Sequence, residues 1–335
     1  MTGSDKRDLA ARSIPARLIL TPRTVSPQLA DSIAAAATAP VLDFSRSPQS
    51  AEHWRAYAAA SNAVSLKRVS AIRARFPAET VERQVAGVTV REITPASLDP
   101  ANAGRVLIHL HGGGYVLSGG EAGLGEGILG AHHARMRVIS VDYRMPPDHP
   151  FPAAIEDAVA VWNEVSDEYA AAAIGVFGTS AGGGLLLALV LSLKAKGAML
   201  PGALAAGTPW ADLAGESDSY AVNAGVDSIL VQYPGLVEGM ARVYAGAASL
   251  ADPLVSPVHG DFSGFPPTIL TTGTRDILLS DTVRVYRAMR STGVEARLEV
   301  HEAMSHAEYN YAFTSPESAT VFGDIAAFFD RHLAR

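Results

Sequence analysis

The stretch 174–183, IGVFGTSAGG, decides the fold of this chain. An apolar run leads into Gly178-Thr179-Ser180-Ala181-Gly182, and a segment of small and apolar residues follows at 181–195. This pattern predicts a strand, a sharp turn and a helix, with Gly178 and Gly182 leaving room for the turn and Ser180 standing on it as a nucleophile. A Gly-rich turn that merely caps a helix gives the same five letters. The flanking strand and helix therefore favour the catalytic interpretation.

A second motif, His111-Gly112-Gly113-Gly114, follows directly after the apolar run at 105–110. Glycines lack side chains that would block the backbone, so their N–H groups can approach an oxyanion. We expect Gly113 and Gly114 to act together with the N–H of Ala181, the residue after the predicted nucleophile. His111 is predicted to anchor the loop by hydrogen bonding. A triple glycine can also be a flexible linker, but a linker would not normally follow an apolar strand so directly.

Apolar, β-branched runs alternate with helical patterns along most of the chain, which indicates a mostly parallel sheet covered on both faces. The predicted strands are Val81–Ala86, Val88–Thr94, Arg105–Leu110, Arg137–Val141, Ile174–Phe177, Leu204–Ala206, Thr268–Thr272 and Ala296–Val300. The helical patterns between them cover Ala153–Val165, Ala181–Ala195, Leu279–Ser291 and Ser315–His332. The fold class is therefore α/β, with eight strands.

Two segments stand outside this alternation. Residues 1–75 are Ala-rich and helical in pattern, with apolar spacing at about 28–40 and 51–74. Residues 211–255 have helical pieces and no strand pattern, which predicts an insertion between two strands. We expect both segments to form a cap over a core made of residues 76–210 and 256–335.

A serine needs a base, and the base needs an orienting acid. His306 follows the last predicted strand, and Asp276 follows the strand before it, so both lie after Ser180 in the chain order Ser, acid, His. Asp276 would accept a hydrogen bond from Nδ1 of His306 and hold its tautomer. His301, at the end of the last strand, is the alternative base. Asp281 is the alternative acid, although it fits better as the N-cap of the next helix.

Composition excludes several classes of function. The 335 residues carry a net charge of −7 and include no cysteine, so a thiolate metal site and a cysteine nucleophile are absent. No basic cluster indicates nucleic-acid binding. The longest apolar run is too short for stable membrane insertion, and the N-terminus lacks a signal-peptide core, so the prediction is a cytoplasmic protein. Adjacent His132 and His133 would point to different sides of a helix, so no metal site is expected.

The combined motifs resemble the hormone-sensitive-lipase family of α/β hydrolases, the bacterial family IV esterases. The resemblance rests on HGGGY at 111–115, DYRMPPDHPFPAAIEDA at 142–158, GTSAGG at 178–183, Asp276 and His306. It implies an α/β-hydrolase core with a helical cap, a Ser–His–Asp triad, and carboxylesterase activity on short- to medium-chain acyl esters without a cofactor. A homodimer is implied because members of the family often dimerise.

The resemblance covers about residues 80–335, with two departures. The commoner elbow has Asp where this chain has Thr179, so the chain is similar to the branch that carries Thr. The commoner histidine motif continues Gly-Phe, whereas Ala307-Glu308 follow His306 here. Both departures concern the pocket lining and substrate preference more than the reaction.

The sequence therefore predicts a serine esterase whose partners are a small ester and water. A lactone hydrolase or an amidase would use the same residues, and a ligand-binding relative without catalysis is a third hypothesis. A dinucleotide-binding oxidoreductase is excluded because the first strand lacks a Gly-x-Gly-x-x-Gly turn. The residues predicted to line the substrate pocket are Tyr115, Val116, Leu117, Thr179, Trp210 and Tyr220.

Overall fold

The computed structural model describes residues 13–16, 18–38 and 43–335. The other parts of the predicted N-terminal helical segment lie outside the described residues. The strands are β1 Ala78–Val85, β2 Val88–Pro95, β3 Val106–Leu110, β4 Arg137–Val141, β5 Ile174–Thr179, β6 Ala203–Gly207, β7 Thr268–Gly273 and β8 Ala296–His301. The helices are α1 Pro27–Thr38, α2 Ala51–Arg75, α3 Leu124–Ala134, α4 Ala153–Glu168, α5 Ala181–Ala195, α6 Ser219–Val222, α7 Leu236–Ala245, α8 Leu279–Ser291, α9 Glu308–Tyr311 and α10 Pro316–His332.

The eight strands form one sheet in the order β1-β2-β4-β3-β5-β6-β7-β8. The β1–β2 and β2–β4 pairs are antiparallel, and every pair from β4 to β8 is parallel. The predicted eight-stranded, mostly parallel sheet with flanking helices is thereby confirmed. Because β3 and β5 to β8 run in one direction, the loops that follow them meet at one edge of the sheet.

Both faces of the sheet are covered, as the apolar strands predict. Alternate residues of β3 enter different cores: Val106 and Ile108 pack on the side of α5, whereas Leu107 packs on the side of α3 and α10. Helix α5 is buried almost throughout, which explains its lack of a polar face. The helix behind the elbow is therefore held rigidly by the core around it.

The predicted helical patterns do not include α3, although His132 and His133, which are expected on a helix, lie in it. Its glycines give it a low intrinsic helix propensity. They are explained by close packing: a Cβ on Gly127 would lie 2.8 Å from Ile93 Cδ1, and one on Gly130 would lie 2.6 Å from Phe177 Cζ. Tertiary contacts therefore override the local preference here.

The fully described segment 211–255 contains α6 and α7 and no strand, and it connects β6 to β7. Over the described ranges, we find no helix with the combined length and apolar character that crossing a bilayer requires.

Candidate active site

The serine elbow is a strained turn. Ser180, between β5 and α5, has φ 62° and ψ −122°, a conformation that few residues other than glycine adopt. Its N–H donates to the carbonyl of Gly207 at 2.9 Å, and its carbonyl accepts from the N–H of Trp210 at 2.9 Å. A Cβ on Gly182 would lie 1.9 Å from the carbonyl oxygen of Leu110. The turn therefore forms only with glycine at this position.

The glycine loop is an ordered turn. Gly113 has φ 119° and Gly114 has φ 62°, both in the region that favours glycine. The carbonyl of Gly113 accepts from the N–H groups of Val116 at 3.1 Å and Leu117 at 2.9 Å. Gly112 packs against the elbow, where a Cβ would lie 2.8 Å from the carbonyl oxygen of Thr179. Ala181, the first residue of α5, is buried directly behind Ser180.

The structure brings Asp276 and His306 together. Nδ1 of His306 lies 3.1 Å from Oδ1 of Asp276. The Asp276 carboxylate also accepts from the N–H of Leu278 and from Oγ1 of Thr272, both at 2.8 Å. Its orientation is therefore set by the chain around it. Among the described residues no hydrogen bond joins Ser180 to His306, but catalytic hydrogen bonds are often long without substrate.

A further hydroxyl reaches the same histidine. Oγ1 of Thr208, the residue after β6, lies 2.7 Å from Nδ1 of His306. Burial lowers the pKa of His306, but the charge and hydrogen bond of Asp276, helped by Asp227 and Asp281, outweigh it and raise the pKa above its usual value. The site is thus built to stabilise an imidazolium.

The two alternative residues lie elsewhere. Asp281 accepts from the N–H groups of Ala211 at 3.1 Å and Asp212 at 2.9 Å, and from the Tyr220 hydroxyl at 3.2 Å. The N-cap prediction for Asp281 is wrong, because the N-cap of α8 is Leu278 and Asp281 lies in the first turn. Its carboxylate instead holds the backbone at the start of the insertion. His301 ends β8, and burial lowers its pKa. Within the described part of the chain, neither residue makes a hydrogen bond to Asp276 or His306.

His111 is a neutral anchor. Its ring stacks on Tyr143 with 4.2 Å between centroids, and the Tyr143 hydroxyl donates to the His111 carbonyl at 2.6 Å. Nδ1 of His111 donates to the carbonyl of Gly112 at 2.8 Å. Burial lowers the pKa of His111 to about 4. The ring therefore holds the glycine loop and carries no charge near neutral pH.

Ser180, His306 and the three glycines line one cavity of about 260 Å³. Helices α2 and α7 supply much of the opposite wall, with Tyr57, Ser61, Ser65, Arg68 and Ile72 from the first and Leu236, Val237 and Met240 from the second. The side chains from α7 are apolar, whereas α2 also contributes the polar groups of Ser61, Ser65 and Arg68. The arrangement suits a small ester with an apolar acyl or alcohol group.

The predicted pocket residues divide into two groups. Leu117, Thr179 and Trp210 line the cavity. Tyr115, Val116 and Tyr220 are buried in the core and are not part of the described cavity wall. Tyr115 stacks on Tyr244 at 3.7 Å, and the Tyr220 hydroxyl donates to the carbonyl of Asp212 at 2.9 Å, so both rings serve packing.

Thr179 belongs to a buried polar network behind the elbow. Its Oγ1 donates to a carboxylate oxygen of Glu126 and lies 2.6 Å from the Tyr309 hydroxyl. The other Glu126 oxygen lies 3.2 Å from Nε2 of His109, whose Nδ1 lies 2.9 Å from Ser140 Oγ. A threonine at the elbow thus matches an acceptor supplied by α3.

Sequence reasoning missed several residues at the site. Thr208 could have been found from its place after a strand next to β5, because strand ends at this edge converge. Asp227, Glu126 and Met240 carry no motif, since each reaches the site only through tertiary folding. In the described ranges, His, Asp and Glu side chains form no cluster of three suited to a metal ion.

Comparisons with known proteins agree with this geometry. A family model described as the alpha/beta hydrolase fold matches residues 107–310. An acetyl-hydrolase of Streptomyces hygroscopicus is 33% identical over 72% of this chain and 81% of its own length. The crystal structure of an esterase designated E25 is 39% identical, with a TM-score of 0.93 over 97% of this chain and 99% of that one. An esterase of the bacterial hormone-sensitive lipase family is 27% identical, with a TM-score of 0.77 over 92% of this chain and 99% of that one.

The family-model match covers nearly all of β3, the strands β4 to β8, and the loops that carry Ser180, Asp276 and His306. Most of the chain is aligned with proteins that are named for ester hydrolysis. The chain therefore belongs to the hormone-sensitive-lipase family of α/β hydrolases and is a carboxylic ester hydrolase.

Proposed function

We propose that the enzyme works through a Ser180–His306–Asp276 triad and an acyl-enzyme intermediate. The observation that carries the proposal is the contact of Asp276 with His306, which lines one cavity together with Ser180 and the glycine loop. Ser180 Oγ attacks the ester carbonyl while Nε2 of His306 takes its proton. Asp276 accepts from Nδ1 and stabilises the resulting imidazolium.

We propose the N–H groups of Gly113, Gly114 and Ala181 as the oxyanion hole. Gly113 and Gly114 line the cavity beside Ser180 and have no side chain to block an oxyanion, and Ala181 opens α5, whose helix dipole favours negative charge at this end. The protonated His306 then gives its proton to the leaving alcohol. A water attacks the acyl-enzyme with His306 again acting as base, and the acid product leaves.

We propose short- to medium-chain acyl esters as substrates, with α1, α2 and segment 211–255 as the cap. The cavity of about 260 Å³ lies just below the range of about 300–1,000 Å³ typical of sites for drug-sized ligands, which favours small esters. The name of the acetyl-hydrolase relative points in the same direction. The placement of α2 and α7 against the cavity supports the division into cap and core.

The test is hydrolysis of nitrophenyl esters from acetate to palmitate by the wild type and by Ser180→Ala. We expect a burst with short or medium chains that disappears in the variant. Ser61→Ala is the matched control, because Ser61 lines the same cavity without standing on an elbow; it should keep turnover within a few-fold. Turnover by Ser180→Ala would refute the triad, and a preference for palmitate would refute the proposed chain length.

The homodimer and the cytoplasmic location stay predictions. Light scattering coupled to gel filtration tests the first, and fractionation of the producing cell tests the second.

A further inference from the structure

Segment 219–228 of the insertion runs along both loops that carry the proposed acid and base. Ser219 Oγ donates to the carbonyl of Ile277 at 2.7 Å, and Asn223 Nδ2 donates to the carbonyl of Asp276 at 2.8 Å. Ser228 Oγ lies 3.0 Å from Ser305 Oγ. The segment therefore touches the acid loop and the base loop within ten residues.

Asp227 joins the two loops directly. Its Oδ2 accepts from the N–H of Ile277 at 2.9 Å and from the N–H of His306 at 3.2 Å. One oxygen thus connects the residue after Asp276 with the proposed base. The side chain is 1% exposed, so water does not compete for these contacts.

The other carboxylate oxygen of Asp227, Oδ1, closes an ordinary local turn. Oδ1 accepts from the N–H of Ile229 at 2.8 Å and of Leu230 at 3.1 Å, which closes the local backbone on Asp227. A role in local folding alone explains these two contacts. It does not explain why Oδ2 accepts only from the backbone N–H groups of Ile277 and His306, which lie 50 and 79 positions away along the chain.

The charges around His306 come from several elements. Asp276 follows β7, Asp227 lies in the insertion, and Asp281 lies in α8. Glu308 of α9 interacts electrostatically with Asp227. Burial lowers the pKa of His306, and the carboxylates, Asp227 among them, raise it. Burial and then the charge of Asp276 raise the pKa of Asp227, whereas His306 and the backbone N–H groups that it accepts from lower it. All four hydrogen-bond partners of the Asp227 carboxyl group are N–H donors, which an ionised carboxylate accepts better than a protonated carboxyl group.

We propose that Asp227 is a positioning residue, which holds the Asp276 and His306 loops at a fixed separation and adds negative charge that favours the imidazolium. The inference rests on the proposed triad. It makes the insertion part of the catalytic framework as well as a wall of the cavity. Asp227 reaches the reacting atoms only through His306 and the loop of Asp276.

The experiment compares Asp227→Asn with Asp281→Asn in the full-length enzyme, using nitrophenyl butyrate and counting active sites by burst titration. Asp281 is a matched control: it is an equally buried carboxylate that accepts two backbone N–H groups but bonds to neither catalytic loop. For Asp227→Asn we expect kcat per titrated site to fall about 10- to 100-fold with KM within about twofold, since a small misplacement costs about that much.

The pH profile separates positioning from simple destabilisation. The acid limb of kcat/KM should move to lower pH in Asp227→Asn, because His306 loses a neighbouring negative charge, and should move less in Asp281→Asn. A lower Tm with kcat per site and acid limb unchanged would overturn the proposal. So would equal shifts in the two variants.

Asp227→Ser provides a second test if the asparagine amide disrupts the turn. It keeps an oxygen acceptor, removes the charge and should show the same direction of change. Loss of folding in both variants would overturn the inference, because it would assign Asp227 to the fold as a whole. Ser180→Ala separates a failure of the proposed triad from a failure of the proposed role of Asp227. Its residual turnover tests the triad and does not depend on Asp227.

Discussion

Replacing Thr179 with valine removes the hydroxyl at the centre of the buried network behind the elbow. Oγ1 of Thr179 gives its proton to Glu126, so it can only accept from the Tyr309 hydroxyl. Tyr309 is 2% exposed and does not line the cavity, so its hydroxyl has little access to water once its acceptor is lost. Valine has nearly the same shape, and the change therefore isolates the two hydrogen bonds from packing.

The expected loss is about 3 kcal/mol. A hydrogen bond to a charged group contributes about 1.5–3 kcal/mol, and a neutral one contributes about 1 kcal/mol. For 335 residues, an unfolding entropy of about 2.1 cal/mol/K per residue gives about 0.7 kcal/mol/K in total. The melting temperature should therefore fall by about 4 °C.

The assay is thermal unfolding and urea unfolding of Thr179→Val beside Thr179→Ser. Serine keeps the oxygen and loses only the methyl group, so its loss should stay near 1 kcal/mol. Because Thr179 does not bond to the triad, kcat of both variants should stay within about tenfold of wild type. Equal melting temperatures for the two variants would refute the reasoning, since the methyl group and not the hydroxyl would then be what matters.

Three further predictions concern a buried acid, the elbow and the base. Burial raises the pKa of Asp281 to about 7, above its unfolded value, so the free energy of unfolding should fall by about 2 kcal/mol as pH rises from 5 to 7. Asp281→Asn should flatten this slope in urea titrations, and an unchanged slope would place the effect elsewhere. Gly182→Ala should abolish folding because its Cβ would overlap the Leu110 carbonyl. Gly264→Ala, with open space around it, should lower the free energy of unfolding by only about 1–2 kcal/mol. Equal circular dichroism melts for the two variants would contradict this. Since the pKa of His306 is raised above 6.5, the acid limb of kcat/KM should lie above pH 6.5, and a rate profile with its limb below pH 6 would be inconsistent with the charged surroundings described.

The nucleophile and the glycine loop were predictable because their geometry is local. The ten residues 174–183 contain the strand, the turn with Ser180 and the start of the helix. The glycines at 112–114 follow closely after their strand. The positive φ of Gly113 and Gly114 is a local reason for glycine. Gly112 and Gly182 are constrained in addition by the carbonyls of Thr179 and Leu110, which the fold brings close. The order of the strands along the chain also follows from short apolar runs, whereas the glycine-rich helix α3 does not.

Side-chain direction was less predictable. Tyr115 directly follows the glycine loop, yet it stacks on Tyr244 of α7, which approaches only through the tertiary fold. Trp210 does reach the cavity, although nothing in its neighbours along the chain distinguishes it from a core tryptophan. Proximity in sequence places a backbone near the site, whereas the packing of distant helices decides which side chains face it.

The histidine loop shows how a departure from a family motif can be explained by long-range contacts. Ala307, where glycine is commoner, has φ 54°, a left-handed conformation that costs a residue with a Cβ about 1–2 kcal/mol. Glu308 offsets this cost: one oxygen accepts from the N–H of Ser305 at 2.8 Å and the other from Ser32 Oγ of α1 at 3.2 Å. The Glu308 carboxylate links α1 to the loop that carries His306 through two hydrogen bonds. Loss of the Ser32 hydroxyl should therefore alter the loop that carries His306.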